Sequence, residues 1–381
     1  MSGRRTYTSI MMQPVSEPLR LTELAERPSG LRRVAHGYAT SGNWRRVAHR
    51  CFTVAREVLA AMPRDAIRAV RHIGTTTRRT EVGAQASLGA SNIALYVHYS
   101  ATGQISRMVL DQLGFLRRSD FAVVFISMAD EIPDADWQAV RGLCALVVQR
   151  RNFGRDFGAW HDLMPEIRRR WPAPRELMLV NDSVLGPIHP LEPILDAMRA
   201  GGQGLFGLTE SVQGGAHLQS YMLLARGKAA AADLMRFVQT LHVSHSKWLL
   251  VQMGEIRLAR WMRRRGHRVA ALFGYERLIA AALSDPAERA RLTASHAKLR
   301  GLDRLPADQA GALLHDWPLN PTQHLWHVLA TRFDYPFLKT ELILRNPGRL
   351  PGVAEWPDVV PPNSPCPLTE LQAHLATMIA Q

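Results

Sequence analysis

Cysteine is scarce: the 381 residues contain three, Cys51, Cys144 and Cys366, far apart and without metal-ligand spacing. Neither a disulfide framework nor a cysteine-built zinc site is expected, and a reducing cytoplasm fits. No apolar run approaches the roughly eighteen residues of a membrane span, and the N-terminal stretch lacks the apolar core of a secretion signal. The expectation is a cytoplasmic chain that neither crosses a membrane nor leaves by that route. There is no Walker loop, no GxGxxG turn, no HExxH pair and no Ser/His/Asp order with a nucleophile elbow. Nucleoside triphosphatase, dehydrogenase and hydrolase readings therefore lack their usual support.

Acidic residues are the minority, 33 Asp and Glu against 47 Lys and Arg, for a formal charge of +14. Residues 1–90 alone hold fifteen Arg and six acids, an excess of nine. Such a charge favours polyanions, whether nucleic acid, an anionic lipid surface or phosphorylated substrates. Since no helix-turn-helix or stacked-aromatic pattern accompanies it, no nucleic-acid partner is expected.

What is present is a globular composition, 46% hydrophobic and 21% charged, in a chain long enough for one large or two modest domains. Residues 1–42 mix Pro, Gly, Ser and Arg without periodicity. From Trp44 to Met62, apolar Trp44, Val47, Cys51, Phe52, Ala55, Leu59 and Met62 fall on one side of a helix, with Arg45, Arg46, His49, Arg50 and Arg56 on the other. Two readings stay open: a helix lying peripherally on anionic headgroups at the inner face of the cytoplasmic membrane, or an ordinary surface helix packed on the main domain. Residues 74–90, rich in Gly, Ser, Thr and Ala, read as a linker. The organisation expected is a basic extension over 1–90, a main domain over 91–348 and a tail over 349–381.

The main domain alternates strands and helices. "NIALYVHYS" (92–100), "FAVVFIS" (121–127), "LCALVVQ" (143–149) and "ELMLVND" (176–182) read as buried strands, with a helix over 104–118 and another following Asp156. Successive βα units imply a mostly parallel sheet with its crevice at the strand carboxyl ends. Polar clusters gather at those ends: His98 and Tyr99, Ser127, Asn152 to Asp156, and Asn181, Asp182 and Ser183. Beyond them, "GLFGLTES" and "HLQSYMLLAR" read as strands, followed by helices near 228–243 and 254–265.

Several of these clusters suit chemistry. In "RRNFGRDFGAW", Gly154 and Gly158 permit close backbone approach beside a helix N-terminus, so a phosphate or ribose fits there; alternatively Asp156 simply caps the helix. Asp182, flanked by Asn181 and Ser183 at a strand end, suits a hard divalent cation, Mg or Mn, that also binds a diphosphate; the alternative is an Asx-turn. Glu255, placed at a helix start, is either a dipole partner or a general base for a hydroxyl. His217, Gln219 and Tyr221 alternate along a strand and would line one face of a pocket, or serve as satisfied structural residues.

Seven blocks, "ALYVHYS", "NFGRDFGAW", "VNDSVLGP", "GLTES", "HLQSYMLL", "NPTQHLW" and "YPFLKTELILRNP", occur in an order that resembles the rhamnan synthesis protein F family of glycosyltransferase-like proteins. The resemblance covers about two thirds of the chain, residues 92–348. It implies a GT-A-like nucleotide-sugar fold and transfer of a sugar, rhamnose in the name-giving activity, from a nucleotide-sugar donor to a cell-surface polysaccharide or lipid-linked glycan. It further implies that Asn152, Gly154, Asp156, Asn181, Asp182 and Ser183, with His98 and Tyr99, hold the donor, and that Glu255 is the catalytic base. Asn181 and Ser183 stand where carboxylates are usual in family 2 glycosyltransferases, and Gly254 precedes Glu255 where an acidic pair is usual. A noncatalytic carbohydrate- or nucleotide-binding protein is the alternative. Trp326, Lys339, Glu341, Arg345 and Asn346 belong to the resembling late block without an assigned role.

Overall fold

Short apolar runs bounded by turn residues become buried strands, and longer runs with helical spacing cover their faces. The computed structural model describes residues 19–24, 44–70, 76–86 and 89–379. Its strands are Thr22–Glu23 (β1), Thr77–Val82 (β2), Asn92–His98 (β3), Ala122–Ser127 (β4), Leu146–Arg150 (β5), Glu176–Asn181 (β6), Val184–Leu185 (β7), Gly204–Ser211 (β8), His217–Leu218 (β9), Met222–Arg226 (β10), Arg268–Phe273 (β11) and Leu338–Lys339 (β12). The main sheet runs β1-β11-β8-β10-β6-β3-β4-β5-β2, with β9 paired to β8, while β7 and β12 form a separate ribbon. The expected mixed α/β architecture with a mostly parallel centre is present: β6, β3, β4 and β5 are parallel neighbours, as are β8 and β11. β10 is antiparallel to both of its neighbours, and each edge strand is antiparallel to its own.

Helix α1 covers Trp44–Val70, and α2 (Arg107–Arg118), α3 (Asp134–Leu143) and α4 (Arg155–Arg170) make the crossovers from β3 to β4, β5 and β6. β4 and β5 are laid down on one side of β3 and β6 on the other. That reversal of strand order falls at the carboxyl ends of β3 and β6, the place where open α/β sheets take ligands.

Four expectations change. The linker over 74–90 contains β2, which pairs with β5; its sequence TRRTEV looks irregular because an edge strand leaves most of its side chains in water. The extension thus supplies an edge strand at each end of the sheet, β1 on β11 and β2 on β5. The tail is not separate: a helix over Leu368–Thr377 buries Leu371 and Leu375, and Nδ1 of His374 lies 2.8 Å from Oγ of Ser106, the residue that caps α2. "HLQSYMLLAR" is not one strand, because the chain turns through Gln219, Ser220 and Tyr221 between β9 and β10. Finally, the helix expected at 254–265 begins earlier, at Lys247, and its middle turn, Val251–Ile256, is π-helical. Glu255 therefore lies inside a helical run rather than at its start.

α1 is longer than expected and contains Pro63. It docks on the body through Val54, Val58 and Ala61, with Glu57 and Asp65 on the same side. Among the described residues no helix is long and apolar enough to cross a membrane.

Candidate functional site

At the strand reversal, the backbone N–H of Tyr99, just past β3, donates to Oδ2 of Asp182, just past β6, across 2.6 Å. Asn181 turns its amide toward α4, where Nδ2 donates to Oδ2 of Asp156 at 2.8 Å. Its Oδ1 accepts from both N and Oγ of Ser183, at 3.1 and 2.5 Å. The Asx-turn reading of this tripeptide is thus present, and it coexists with a contact to the glycine-hinged loop. The β7–β12 ribbon sets Lys339 opposite Val184, and from there Nζ donates to Oγ of Ser183 at 2.9 Å.

Glu255 joins the cluster from the π-helical turn. Oε1 accepts from Oγ of Ser220 at 2.6 Å and from its backbone N–H at 3.3 Å, while Oε2 lies 3.7 Å from Nε2 of His217. Nδ1 of His217 meets the carbonyl of Gly215 at 2.7 Å, which orients the ring. A π-helical turn redirects side chains within a helix and recurs at functional sites. Here it also needs glycine, since a Cβ on Gly254 would lie 2.8 Å from the ring of Phe157, which follows Asp156 in α4.

These groups feel one another. Burial lifts the Asp156 carboxyl to about 6, with Lys339 and Arg155 pulling it down and Glu255 pushing it up. Burial also raises Asp182 well above the usual carboxylate range; the Tyr99 N–H opposes this and Asp156 adds to it. Lys339 is lowered by burial while Glu255 and Asp156 favour its charged form. Asp156, Asp182, Glu255 and Lys339 thus form one electrostatic unit.

The remaining predicted residues are distributed as follows. Gly154 adopts a left-handed conformation, φ 69°, at the head of α4, and a Cβ there would meet Cγ1 of Val243 at 2.0 Å. The hinge therefore serves packing against the 241–246 segment. Asn152 and Tyr99 are exposed. His98 is not: it has no accessible surface, its Nδ1 lies 3.1 Å from Oγ of Ser127, and burial lowers its pKa to about 3. It belongs to the core beside Phe125. Gln219 and Tyr221 enter a buried network. Oγ1 of Thr209 meets Oε1 of Gln219 and the hydroxyl of Tyr221, both at 2.7 Å, and Tyr335 donates to Tyr221 at 2.7 Å. Nε2 of Gln219 donates to Oγ1 of Thr322 at 3.2 Å. They tie the late block to the sheet, and so hold Lys339 in place.

Sequence reasoning passed over Ser220 and gave Lys339 no role. A serine in a turn carries no signal by itself, and Lys339 is more than 150 residues from its partner Ser183, as Ser183 to Lys339 spans 156 positions. In the late block, Glu341 pairs with Lys247 at 3.2 Å and Asn346 brackets the backbone of Leu350.

The expected Mg or Mn ion finds a poor donor set. Oδ1 of Asn181, the one atom of that amide able to ligate a hard cation, accepts from Ser183, Oδ2 of Asp182 takes a backbone N–H, and Lys339 puts an ammonium beside Ser183. Among the described residues no three His, Cys, Asp or Glu side chains converge as a cation seat. A hollow of about 440 Å³ lies elsewhere, lined by Trp326, His327, Arg291, Glu355 and Asp358 among others, and contains no member of the acidic cluster.

A curated relative, the uncharacterized protein y4gN of Sinorhizobium fredii, is 23% identical over 197 residues, covering 50% of this chain and 51% of its own. The chain thus spans about half the length of that relative. A solved structure of a candidate nucleotide-diphospho-sugar transferase from Desulfovibrio desulfuricans G20 covers 60% of this chain and 100% of its own, at 12% identity and a TM-score of 0.29. The family model of rhamnan synthesis protein F matches residues 123–351, a span that includes Asp156, Asp182, Ser220, Glu255 and Lys339. The chain belongs to the rhamnan synthesis protein F family.

Proposed function

We propose that this chain is a glycosyltransferase whose GT-A-like domain binds a nucleotide-sugar donor at the crevice between β3 and β6 and passes the sugar to a glycan or lipid-linked acceptor. The observation that carries the reading is the assembly of Asp156, Asp182, Glu255 and Lys339 at the strand reversal, in a chain of a family named for rhamnan synthesis. Rhamnose is the donor sugar that the family name favours.

The chemistry is an inverting displacement. The acceptor oxygen forms a bond to the anomeric carbon as the bond from that carbon to the diphosphate breaks, and the nucleoside diphosphate leaves with the electron pair. The acceptor proton passes to Glu255, whose other oxygen is anchored by Ser220. Lys339 offsets the charge that grows on the departing diphosphate, a task that a fixed cation in a low-dielectric site performs without reorganisation. Asp156 and Asp182 set the floor of the donor site, and the exposed Asn152 and Tyr99 border it.

The test is a panel of TDP-, UDP- and GDP-sugars scored for ligand-dependent thermal stabilisation, with and without manganese, followed by donor turnover. Stabilisation by at least one donor and turnover lost in Glu255→Gln are expected. Stabilisation with no turnover in the wild-type chain would favour the noncatalytic binding protein, a reading that Asn181 and Ser183 in place of carboxylates motivates. No stabilisation by any nucleotide would remove the transferase reading and the nucleotide-binding form of the alternative.

A further inference from the structure

The amphipathic helix α1 has two separate faces, and only one is spent on folding. Val54, Val58 and Ala61 turn toward the body. On the same side Glu57 Oε1 accepts from Oγ of Ser246 at 2.8 Å and from the N–H of Trp248 at 3.0 Å. Asp65 accepts from Oγ of Ser244 at 2.5 Å and from the N–H of His245 at 2.9 Å. The other face carries Phe52, Ala55, Leu59 and Met62, spaced three, four and three residues apart. Phe52, Leu59 and Met62 are 68%, 63% and 56% exposed, the three most exposed large apolar side chains among the described residues.

The apolar stripe therefore faces outward while a different set of residues makes the dock. An ordinary surface helix does the reverse. Apolar surface left in water is unfavourable in proportion to its area, so a stripe exposed in this way calls for an occupant.

Charge selects the occupant. Both carboxylates of α1, Glu57 and Asp65, are consumed on the docked side by hydroxyls and backbone N–H groups. The residue next to the dock's carboxylate on the outward side is Arg56, which is exposed, and residues 1–90 carry fifteen arginines against six acids. An apolar stripe beside the exposed Arg56, in an extension that holds nine more arginines than acids and on a helix whose two carboxylates are bonded to the dock, is complementary to an anionic bilayer. There, acyl chains take Phe52, Leu59 and Met62, and headgroup phosphates take the guanidinium groups.

We propose that α1 is an interfacial helix that seats this chain on an anionic phospholipid membrane through Phe52, Leu59 and Met62. Its dock, Ser244 to Trp248, lies just before the turn that bears Glu255, and the ring of His245 packs on Phe153 of the glycine-hinged loop at 4.2 Å. On the proposed transferase reading, membrane seating brings the site beside a lipid-linked acceptor; the seating itself does not depend on that reading.

Full-length protein is mixed with vesicles of phosphatidylcholine alone or with about 30% phosphatidylglycerol, and binding is read by co-sedimentation. Cys51, on the outward side of α1, is exposed whereas Cys144 and Cys366 are buried, so a polarity-sensitive fluorophore can be placed on Cys51 alone. Binding to the anionic vesicles, a blue shift of the fluorophore, and a loss of binding of about tenfold or more in the F52S/L59S/M62S variant are expected. Failure of the wild-type chain to bind anionic vesicles would overturn the proposal. So would equal binding to both vesicle types, or a variant that binds as well as wild type. Light scattering on the same samples separates the remaining occupants: a wild-type dimer that the variant converts to monomer, with no vesicle binding, would assign the stripe to a second copy. None of these readings uses a nucleotide sugar, so failure here leaves the transferase assignment standing.

Discussion

The N–H of Tyr99 and Oδ2 of Asp182 meet at 2.6 Å across the point where the sheet's strand order reverses. Tyr99 follows β3, the first strand of the parallel set, and Asp182 follows β6, the last. Both residues lie one position past their strands, and the N–H of Asp182 also donates to the carbonyl of Val97 in β3 at 3.1 Å, so the carboxylate is tied directly to the strand ends. Asn181 then extends that tie to Asp156, and Ser183 extends it to Lys339. The candidate site is a chain of such bonds reaching from the sheet to the late block.

If Glu255 takes the acceptor proton, Glu255→Gln should lower kcat by about a hundredfold to ten-thousandfold while donor binding holds. Ser220→Ala, which frees Oε1 without removing the carboxylate, should give a smaller loss. Steady-state kinetics beside ligand-dependent thermal shifts separate the two effects. A parallel loss of donor binding would place Glu255 among the groups that hold the donor.

Lys339 is a late-block cation that interacts electrostatically with both Asp156 and Glu255. Lys339→Met should weaken donor binding by about ten- to a hundredfold, the scale of a charge-assisted hydrogen bond, and Lys339→Arg should restore part of it. Turnover insensitive to EDTA would agree with an ammonium in the role expected of a divalent ion. Calorimetry with and without chelator measures both.

Asp156 provides a pH signature. Burial raises its carboxyl from 3.8 to about 6, so between those values the folded chain holds a proton that the unfolded chain has released. Stability should therefore fall as pH rises from about 4 to about 6 and change little above that on this account. Asp156→Asn, which keeps an acceptor for Asn181 and never ionises, should flatten that part of the profile. Urea midpoints at several pH values test the sign.

Gly254 should tolerate no side chain. In Gly254→Ala the new Cβ would stand 2.8 Å from the Phe157 ring, and overpacking of this kind costs about 1–3 kcal/mol. Phe157→Leu in the same chain should recover part of the loss, a coupling that a double-mutant cycle of urea unfolding would reveal.

Much of the centre was legible along the chain. "NIALYVH", "AVVFIS" and "ELMLVN" are apolar on both faces, which only a strand covered by helices on either side accepts, and their ends already marked Tyr99, Asp182 and Asn181. Less was legible where polar composition mimics a loop. TRRTEV pairs on only one side and so keeps the sequence of a surface segment. His98 shows the opposite failure: alternation and position suggest a cleft, yet a histidine at a strand end can be sealed by its neighbours, here Ser127 and Phe125.

The amino-acid sequence by itself determined the alternation of strands and helices, the glycine at 154 that the left-handed turn requires, and the amphipathic character of α1, because each depends on local periodicity and backbone freedom. Tertiary structure alone decided that Lys339 stands beside Ser183, that Ser220 anchors Glu255, and that α1 turns its apolar stripe outward. Those outcomes depend on which distant surfaces meet, and that is set by the packing of the whole sheet and its helices, for which no short stretch carries a signal.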